Sequence, residues 1–351
     1  MAKQHPTLPR SSERSENGPG RSLAVSVVMP AYNAAKLLPS TLPPLIEMLA
    51  AGEVAEVIVV NDRSPDNTAR IAAELGAQVI ETPVNGGPGA ARNLAASQAV
   101  GDILWFVDSD VIAHRDGAER VRAAFADPAV GAVFGSYDSD PGDPHWFSRY
   151  KNLMHRYYHQ ASHGDATTFW AGCGAVRKDV FHEVGGFDAL TYAVPSIEDI
   201  ELGYRISGAG HRICLDPDLQ GKHLKGWRVR NAIHTDIFCR ALPWSRLMIA
   251  REGLSDNLNT SWSERMKAII ALSLLLSLAT LVVAPQIWPI PLFLLALAIL
   301  ANWRFARFLH MQGGLTLAVP GVLYHQLYFA YSSITFAWCL VEYHLRAKRT
   351  I

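Results

Sequence analysis

A strand that ends in two carboxylates is the feature that most constrains this chain. The apolar run 103–107 predicts a buried strand, and Asp108 and Asp110 follow it with one small residue between them. Carboxylates in this position contribute little to packing, but their oxygens are suitable ligands for a hard divalent cation. Ligands of open parallel sheets collect at the carboxyl ends of the strands. On this motif alone, a strand end with a helix cap at Asp110 explains the residues equally well.

Apolar runs of strand length alternate with helical patterns from residue 23 onward. This alternation, with short connections, predicts an α/β fold with a mainly parallel sheet and helices on both faces. Strands are predicted at 23–29, 56–60, 78–81, 103–107, 129–135 and 168–176, and helices at 34–51, 66–75, 88–99 and 200–209.

Composition excludes some classes of protein. Lys plus Arg and Asp plus Glu both total 32, so bulk charge gives no indication of a nucleic-acid partner. The four cysteines are scattered without CxxC spacing, which favours reduced thiols over a disulfide framework or a zinc site. Residues 1–22 contain almost nothing apolar to bury, so they are interpreted as a disordered tail and not as a signal peptide.

The last quarter of the chain is far more apolar than the rest. The runs 268–284 and 287–303 each approach the length of a membrane-spanning helix, and Trp288 and Trp303 near the ends of the second run are typical of the membrane interface. We interpret them as two spans, with a buried hairpin of a soluble protein as the alternative. Segment 315–345 is apolar but contains several polar residues, so a third span, a re-entrant helix and an interfacial helix all remain open.

Positive charges suggest an orientation for these segments. Basic residues flank the predicted hairpin, and the tail 346–351 is also basic. Such residues favour the cytoplasmic side. The sequence therefore predicts a multi-pass protein of the inner (cytoplasmic) membrane with its catalytic domain in the cytoplasm.

Polar residues also follow the first two predicted strands. Pro30 and Tyr32 come after the first strand and Asp62 after the second, on the same sheet edge as Asp108. Asp62 is suited to accept from a ring N–H of a base while backbone near Pro30 contacts its carbonyls, although helix capping is the simpler explanation for Asp62 alone. The Gly87-x-Gly89 sequence opens a helix but has Arg92 in the third glycine position, so we interpret it as a loop whose Arg92 faces a nucleotide.

Three acids begin the helix predicted near residue 200. Acids at a helix N-terminus are stabilised by the macrodipole, which is a sufficient structural explanation. The functional interpretation makes Asp199, next to Glu198, a general base that deprotonates an acceptor hydroxyl. Glu201 is expected to pair with Arg205 one turn later.

Taken together, these motifs resemble those of the inverting family 2 glycosyltransferases, which have the GT-A fold. The resemblance covers about residues 23–225. It is carried, in order, by Pro30-Ala31-Tyr32-Asn33, Val60-Asn61-Asp62, Gly89-Ala90-Ala91-Arg92-Asn93, Asp108-Ser109-Asp110, Gly172-Cys173-Gly174 with Gly185-Gly186-Phe187-Asp188, and Glu198-Asp199-Ile200-Glu201-Leu202.

The resemblance implies a role for each matching position. Its nucleoside pocket would be formed by Pro30, Tyr32, Asp62 and Arg92; Asp108 would contact the ribose and the metal; Asp110 and His223 would ligate Mg²⁺ or Mn²⁺; Asp199 and Glu198 would be catalytic. The chain lacks the Gln-x-x-Arg-Trp motif of processive synthases. Transfer of a single sugar from a nucleotide-diphospho-sugar is therefore expected.

The predicted organisation places the acceptor at the membrane. We expect a catalytic domain at 23–226, an amphipathic interfacial segment at 227–265 and membrane helices at 266–345. Segment 227–248 mixes apolar residues with Arg228, Arg230, Arg240 and Arg246, and 145–159 is also aromatic and basic. The acceptor is then a lipid or a lipid-linked group. A polyprenyl-phosphate glycosyl synthase and a non-catalytic nucleotide-binding scaffold are the alternatives, whereas the loop after the first strand argues against a nucleotidylyltransferase.

Overall fold

The computed structural model describes residues 23–161, 164–251 and 261–347. The predicted tail 1–22 and most of the basic tail lie outside these residues. The strands are β1 (Val25–Ala31), β2 (Glu56–Asn61), β3 (Gln78–Glu81), β4 (Ile103–Val107), β5 (Val111–Ala113), β6 (Val130–Tyr137), β7 (Gly164–Ala166), β8 (Cys173–Arg177) and β9 (Arg212–His223).

Helices cover the sheet and form the C-terminal region. Those of the first 208 residues are α1 (Leu38–Thr41), α2 (Pro43–Ala50), α3 (Thr68–Glu74), α4 (Gly87–Gln98), α5 (Gly117–Ala124), α6 (Trp146–Ala161), α7 (Lys178–Glu183) and α8 (Glu198–Gly208). They are followed by α9 (Val229–His234), a π-helical turn (Thr235–Ala241), α10 (Leu242–Ala250), α11 (Trp262–Thr280), a 3₁₀ turn (Pro285–Ile287), α12 (Pro289–Ala301) and α13 (Trp303–Ala347).

The strands form one mixed sheet, so the prediction of a mainly parallel sheet is wrong. Strands β3, β2, β1 and β4 are parallel neighbours, as expected from their alternation with helices. From β4 onward the order is β8, β6, β9 and β5, and β8 runs antiparallel to both of its neighbours. A strand buried on both faces has the same continuous apolar pattern in either direction, so its sequence does not reveal its orientation.

The predicted elements of the first half are largely confirmed. The strands at 78–81 and 103–107 have the predicted bounds. The predicted helix 34–51 is instead two short helices, because Pro43 cannot donate a backbone hydrogen bond and begins a new helix. The predicted strand 168–176 is reduced to β8, and the pattern gave no indication of β5, β7 or the long β9.

Side chains of alternate residues along β4 enter two separate cores. Trp105 packs on one face with residues of β1 and α2, while Phe106 packs on the other with Phe169, Phe181 and Phe187. This alternation follows from the two-residue period of a strand. Because β4 is covered on both faces, the residues after Val107 have a fixed position at the edge of the sheet.

The C-terminal helices pack on one another and on α6. A third core joins Phe147 and Tyr150 of α6 to Phe305, Leu309 and Tyr324 of α13. The conformation of Gly313 and Gly314 is non-helical and bends α13, and Arg149 Nη2 donates to the carbonyl of Gln312 at this bend (2.7 Å).

The structure supports the predicted membrane spans only in part. Within the described residues, no single helix combines the length and the apolar character needed to cross a membrane. One bent pair, Pro285–Ala301 with Trp303–Arg346, has that length and composition together, and its two parts meet at 66°.

Candidate functional site

The site forms where β4 ends, because the segments next to β8 and β9 hold Asp108 and Asp110 there by backbone hydrogen bonds. The backbone N–H of Asp108 donates to the carbonyl of Gly172, just before β8 (3.1 Å). The carbonyl of Asp110 accepts from the N–H of Leu224, just after β9 (2.8 Å). The backbone thus fixes both carboxylates, whose side chains remain 33% and 25% exposed.

Arg92 of α4 joins two of the predicted acids. Its Nη2 donates to Asp108 Oδ1 (2.6 Å) and its Nη1 donates to Glu198 Oε1 (3.2 Å). The guanidinium is buried, and it lies over the ring of Phe187. Burial raises the pKa of Asp108 and the charge of Asp110 raises it further, against the lowering effect of Arg92.

Asp110 faces His223, the last residue of β9. Asp110 Oδ2 lies 3.4 Å from His223 Nε2, and the other ring nitrogen, Nδ1, bonds to Asn152 Oδ1 of α6. The ring is also stacked on Tyr137, with 4.2 Å between centroids and 5° between planes. Burial raises the pKa of Asp110, but His223 and Lys225 act more strongly and leave it below the ordinary value.

The pair fits a divalent cation, although it does not form a complete metal site alone. Adjacent ligands of an octahedral ion at about 2.1 Å lie about 3 Å apart, close to the separation of the two facing atoms. Within the described ranges, no group of three or more His, Cys, Asp or Glu residues is arranged to hold a metal ion. The metal role predicted for Asp108, whose Oδ1 bonds to Arg92, stays a prediction.

The two acids at the start of α8 have different surroundings. Glu198 is buried, and its oxygens accept from Arg92 and from the backbone N–H of Ser196 (2.9 Å). Asp199 is half-buried in the cavity wall, where Oδ2 accepts from the N–H of Ala171 (3.2 Å). Burial, reinforced by the charge of Glu198, raises the pKa of Asp199 to about 7. Glu198 is thus joined to Asp108 through Arg92, and the catalytic roles predicted for Asp199 and Glu198 stay predictions.

The other three residues predicted for the nucleoside, Pro30, Tyr32 and Asp62, lie at or just after the ends of β1 and β2. Pro30 is buried in β1, and Tyr32 is 57% exposed in the loop that follows. Asp62 is buried and holds the loop before α4, because its carboxylate accepts from the Thr82 hydroxyl and from the N–H groups of Gly86 (3.0 Å) and Gly87 (2.8 Å). The contact of Asp62 with a base stays a prediction.

Gly87 brings this loop close to the segment that leads to α8. Its φ is +79°, and a Cβ at this position would lie 2.2 Å from the carbonyl oxygen of Ala193. A side chain is therefore excluded both by the backbone conformation and by space.

A cavity of about 650 Å³ connects these residues with the C-terminal helices. Arg92, Asp108, Asp110, Asp199 and His223 line one end of it, while residues of the π-helical turn, α10, α11 and α13 line the other. The segment 145–159 is aromatic and basic. Most of it forms α6, which packs inside the molecule.

The sequence did not indicate Lys151 and Asn152 as residues of the site. Both belong to α6, and both line the cavity. The available signal was the presence of two polar residues in a helix that also carries a run of buried aromatic residues.

The chain is similar to known glycosyltransferases. The family model described as "Glycosyl transferase family 2" matches residues 26–185. The pre-mycofactocin glycosyltransferase of Mycobacterium tuberculosis is 29% identical over 224 residues, which cover 60% of this chain and 46% of that protein. The validoxylamine A glucosyltransferase of Streptomyces hygroscopicus subsp. jinggangensis is 30% identical over 219 residues, with coverages of 53% and 52%. The chain thus spans about half the length of the first curated relatives that it matches.

A solved structure resembles this chain in fold over most of its length. The mannosyltransferase PcManGT from Pyrobaculum calidifontis, in complex with GDP-Man and Mn²⁺, superposes with a TM-score of 0.55 at 20% identity over 91% of this chain and 88% of that one. Residues 26–185 are therefore similar to a glycosyltransferase family 2 domain, and the chain has a GT-A-like α/β fold.

Proposed function

We propose that this chain is a membrane-anchored, metal-dependent, inverting glycosyltransferase that moves one sugar from a nucleotide-diphospho-sugar to a lipid or lipid-linked acceptor. One observation carries the proposal. The cavity lined by Asp110, His223 and Asp199 continues between the apolar C-terminal helices, so one space is available to both the donor and a membrane-derived acceptor.

The reaction is a single displacement. Asp199 takes the proton of an acceptor hydroxyl, whose oxygen forms a bond to the anomeric carbon. The bond from that carbon to the diphosphate oxygen breaks, and its electron pair leaves with the nucleoside diphosphate. Attack from the face opposite the leaving group inverts the anomeric centre. The raised pKa of Asp199, about 7, suits a general base that operates near neutral pH.

The remaining residues of the site bind the cation and hold the base in position. Asp110 and His223 would hold the cation, which when bound supplies positive charge that offsets the charge of the departing diphosphate. Of the two predicted ions, a nitrogen ligand favours Mn²⁺ over Mg²⁺. Arg92 fixes Asp108 and the start of α8 in one arrangement, so the base keeps its position relative to the carboxylates.

Exposed apolar side chains support the membrane location. Val282 and Val283 after α11 are 86% and 82% exposed, and Leu300 of α12 is 71% exposed. Many other large apolar side chains of α11, α12 and α13 are also exposed, and large exposed apolar surfaces mark contacts with a membrane or another protein. We place the catalytic domain on the cytoplasmic face of the inner membrane, with the bent helix pair as its anchor.

A donor screen tests the proposal. Detergent-solubilised protein is incubated with UDP-, GDP- and TDP-sugars, with Mn²⁺ or EDTA and with or without membrane lipid, and release of nucleoside diphosphate is measured. We expect turnover with one donor that needs both the ion and the lipid. Failure to bind any nucleoside diphosphate with Mn²⁺ present would overturn the proposal.

A further inference from the structure

The cavity wall carries cationic side chains in addition to six carboxylates, and two of these cations, Lys225 and Arg240, are exposed. Five cationic side chains line it: Arg92, Lys151, Lys225, Arg240 and Arg265. Arg92 is paired with Asp108 and Glu198, and Lys151 is paired with Asp236. Among the described residues, Lys225 and Arg240 form no hydrogen bond or ion pair with a carboxylate, and the ammonium of Lys225 lies over the ring of Trp227 (4.6 Å).

Lys225 and Arg240 lie near the buried ammonium group of Lys151. Burial lowers the pKa of Lys151, and the charges of Arg240 and Lys225 lower it further, against the raising effect of Asp236. Lys151, Lys225 and Arg240 therefore all contribute positive charge to this part of the cavity. Both carboxylate oxygens of Asp236 accept hydrogen bonds from Lys151 (2.8 Å each). Lys225 and Arg240 are thus available to an anionic ligand, and their two positive charges match the charge of a phosphate monoester near pH 7.

Arg240 is held in place by the backbone that carries it. It belongs to the π-helical turn, a conformation that is rare and is frequent at functional sites. Asp236 anchors the start of this turn to α6 through Lys151 and to α13 through the hydroxyl of Tyr331 (2.7 Å). The carbonyl of Cys239 accepts from Ser196 Oγ (2.9 Å), which ties the turn to the segment that begins α8. An anion bound by Arg240 would therefore have a fixed position relative to Asp199.

The far side of the cavity combines apolar side chains with a few polar ones, among them Glu264 and Arg265. Beyond the two cations its lining comes from α10, α11 and α13 and includes Met248, Ala268, Ile269, Phe329 and Phe336. A ligand that satisfies both parts has an anionic head and an apolar tail.

We propose that Lys225 and Arg240 bind the phosphate of a lipid-linked acceptor whose tail lies against the C-terminal helices. The inference rests on the proposed function and specifies its acceptor: the phosphate anchors the acceptor while the hydroxyl that attacks lies toward Asp199. A guanidinium binds phosphate with two parallel hydrogen bonds, which gives direction as well as charge.

Octyl phosphate tests the proposal on the detergent-solubilised full chain. Its binding is followed by the fluorescence of Trp227 and Trp244, which line the cavity. Octanol lacks the charge and inorganic phosphate lacks the tail. We expect octyl phosphate to bind at least tenfold more tightly than either, and this comparison requires no variant. Equal affinity for octanol would overturn the proposal.

Variants then test whether Arg240 and Lys225 bind the phosphate group. Arg240→Gln and Lys225→Gln should each weaken octyl phosphate binding at least tenfold, and Arg240→Lys should recover part of the loss. Arg230→Gln is the matched control, because Arg230 is an exposed arginine of the same region that does not line the cavity. It should stay within twofold of the wild type, with the same partition of the probe into detergent.

Binding of nucleoside diphosphate with Mn²⁺, measured on the same samples, separates the acceptor from the donor. Arg240→Gln should change it by less than threefold. If that variant weakens nucleoside diphosphate binding and leaves octyl phosphate binding unchanged, the cations serve the donor and the proposal is wrong. If the wild type binds octyl phosphate but no nucleoside diphosphate, the proposed function fails while the phosphate site stands.

Discussion

His223 Nε2 lies 3.4 Å from Asp110 Oδ2, at the end of a ring that Asn152 holds from the other side. A protonated Nε2 pairs with the carboxylate, and a deprotonated one presents its lone pair to a cation in the same place. The bond from Nδ1–H to Asn152 Oδ1 selects the tautomer that makes Nε2 available. Helix α6 therefore holds the imidazole ring that faces Asp110.

Asn152→Leu should weaken metal binding without removing a ligand. Loss of the acceptor for Nδ1–H frees the ring to rotate or change tautomer, and loss of such an outer partner typically costs about 10–100-fold in metal affinity. Titration of Mn²⁺ in the presence of nucleoside diphosphate, followed by electron paramagnetic resonance, measures it. Asn152→Asp keeps an acceptor and should stay within a few fold, as should His211→Gln, which changes a histidine paired with Glu183 elsewhere. Wild-type Mn²⁺ affinity in Asn152→Leu would contradict this role.

Arg92→Met should destabilise the protein strongly. The substitution leaves Asp108 and Glu198 without their shared cation, and removal of one partner of a buried ion pair costs about 3–5 kcal/mol. We expect the midpoint of thermal unfolding to fall by about 10 °C. Arg63→Met removes an exposed pair with Glu81 and should change it little. The double variant Arg92→Met/Glu198→Gln should recover part of the loss, and an additive result would argue against the coupling.

Asp199→Asn should lower turnover by about 10²–10⁴-fold, the usual contribution of a general base. Because the base acts when deprotonated and its pKa is about 7, wild-type turnover should rise with pH and level off above that value. The variant should lose this acid limb. Glu183→Gln, on the exposed surface, should keep it. A loss smaller than tenfold in Asp199→Asn would identify the acceptor phosphate itself as the nucleophile.

The same carboxyl group should make stability depend on pH. Its pKa is raised in the folded protein, so between about pH 4 and 7 the native state binds a proton that the unfolded state has released. Its contribution to stability therefore falls as pH rises through this window. The midpoint of Asp199→Asn relative to wild type should increase from pH 4 to pH 7. A difference that is independent of pH would rule out this account.

Gly87→Ala should be more damaging than the same change at Gly52. Both glycines have positive φ, +79° and +73°, so the backbone strain of alanine is matched at about 1–2 kcal/mol. A Cβ at Gly52 meets nothing within 4 Å, whereas at Gly87 it meets the carbonyl of Ala193. Thermal unfolding and nucleoside diphosphate binding of the two variants isolate the effect of that close approach. Similar losses in both would show that the loop moves freely.

The sequence predicts the parts of the site that follow strands and begin helices. Asp108 and Asp110 after β4, and Asp199 at the start of α8, are recognisable because an apolar run or a helix boundary marks their position. Asn152 lies in the middle of α6 and Lys225 follows β9, where no local pattern distinguishes a functional side chain from a surface one. Their place depends on long-range packing, as does the orientation of β8, since a buried strand has the same apolar pattern in both directions.

The reversal of β8 decides which residues become neighbours of the carboxylates. In register, Val107 at the end of β4 is opposite Cys173 at the start of β8. The segment before β8 therefore arrives beside Asp108, and its Ala171 N–H donates to Asp199. Had β8 run parallel to β4, its end would lie at this edge and Ala171 would lie at the opposite one. The direction of a single strand thus supplies the backbone hydrogen-bond donor that orients Asp199, which no exchange of side chains could supply.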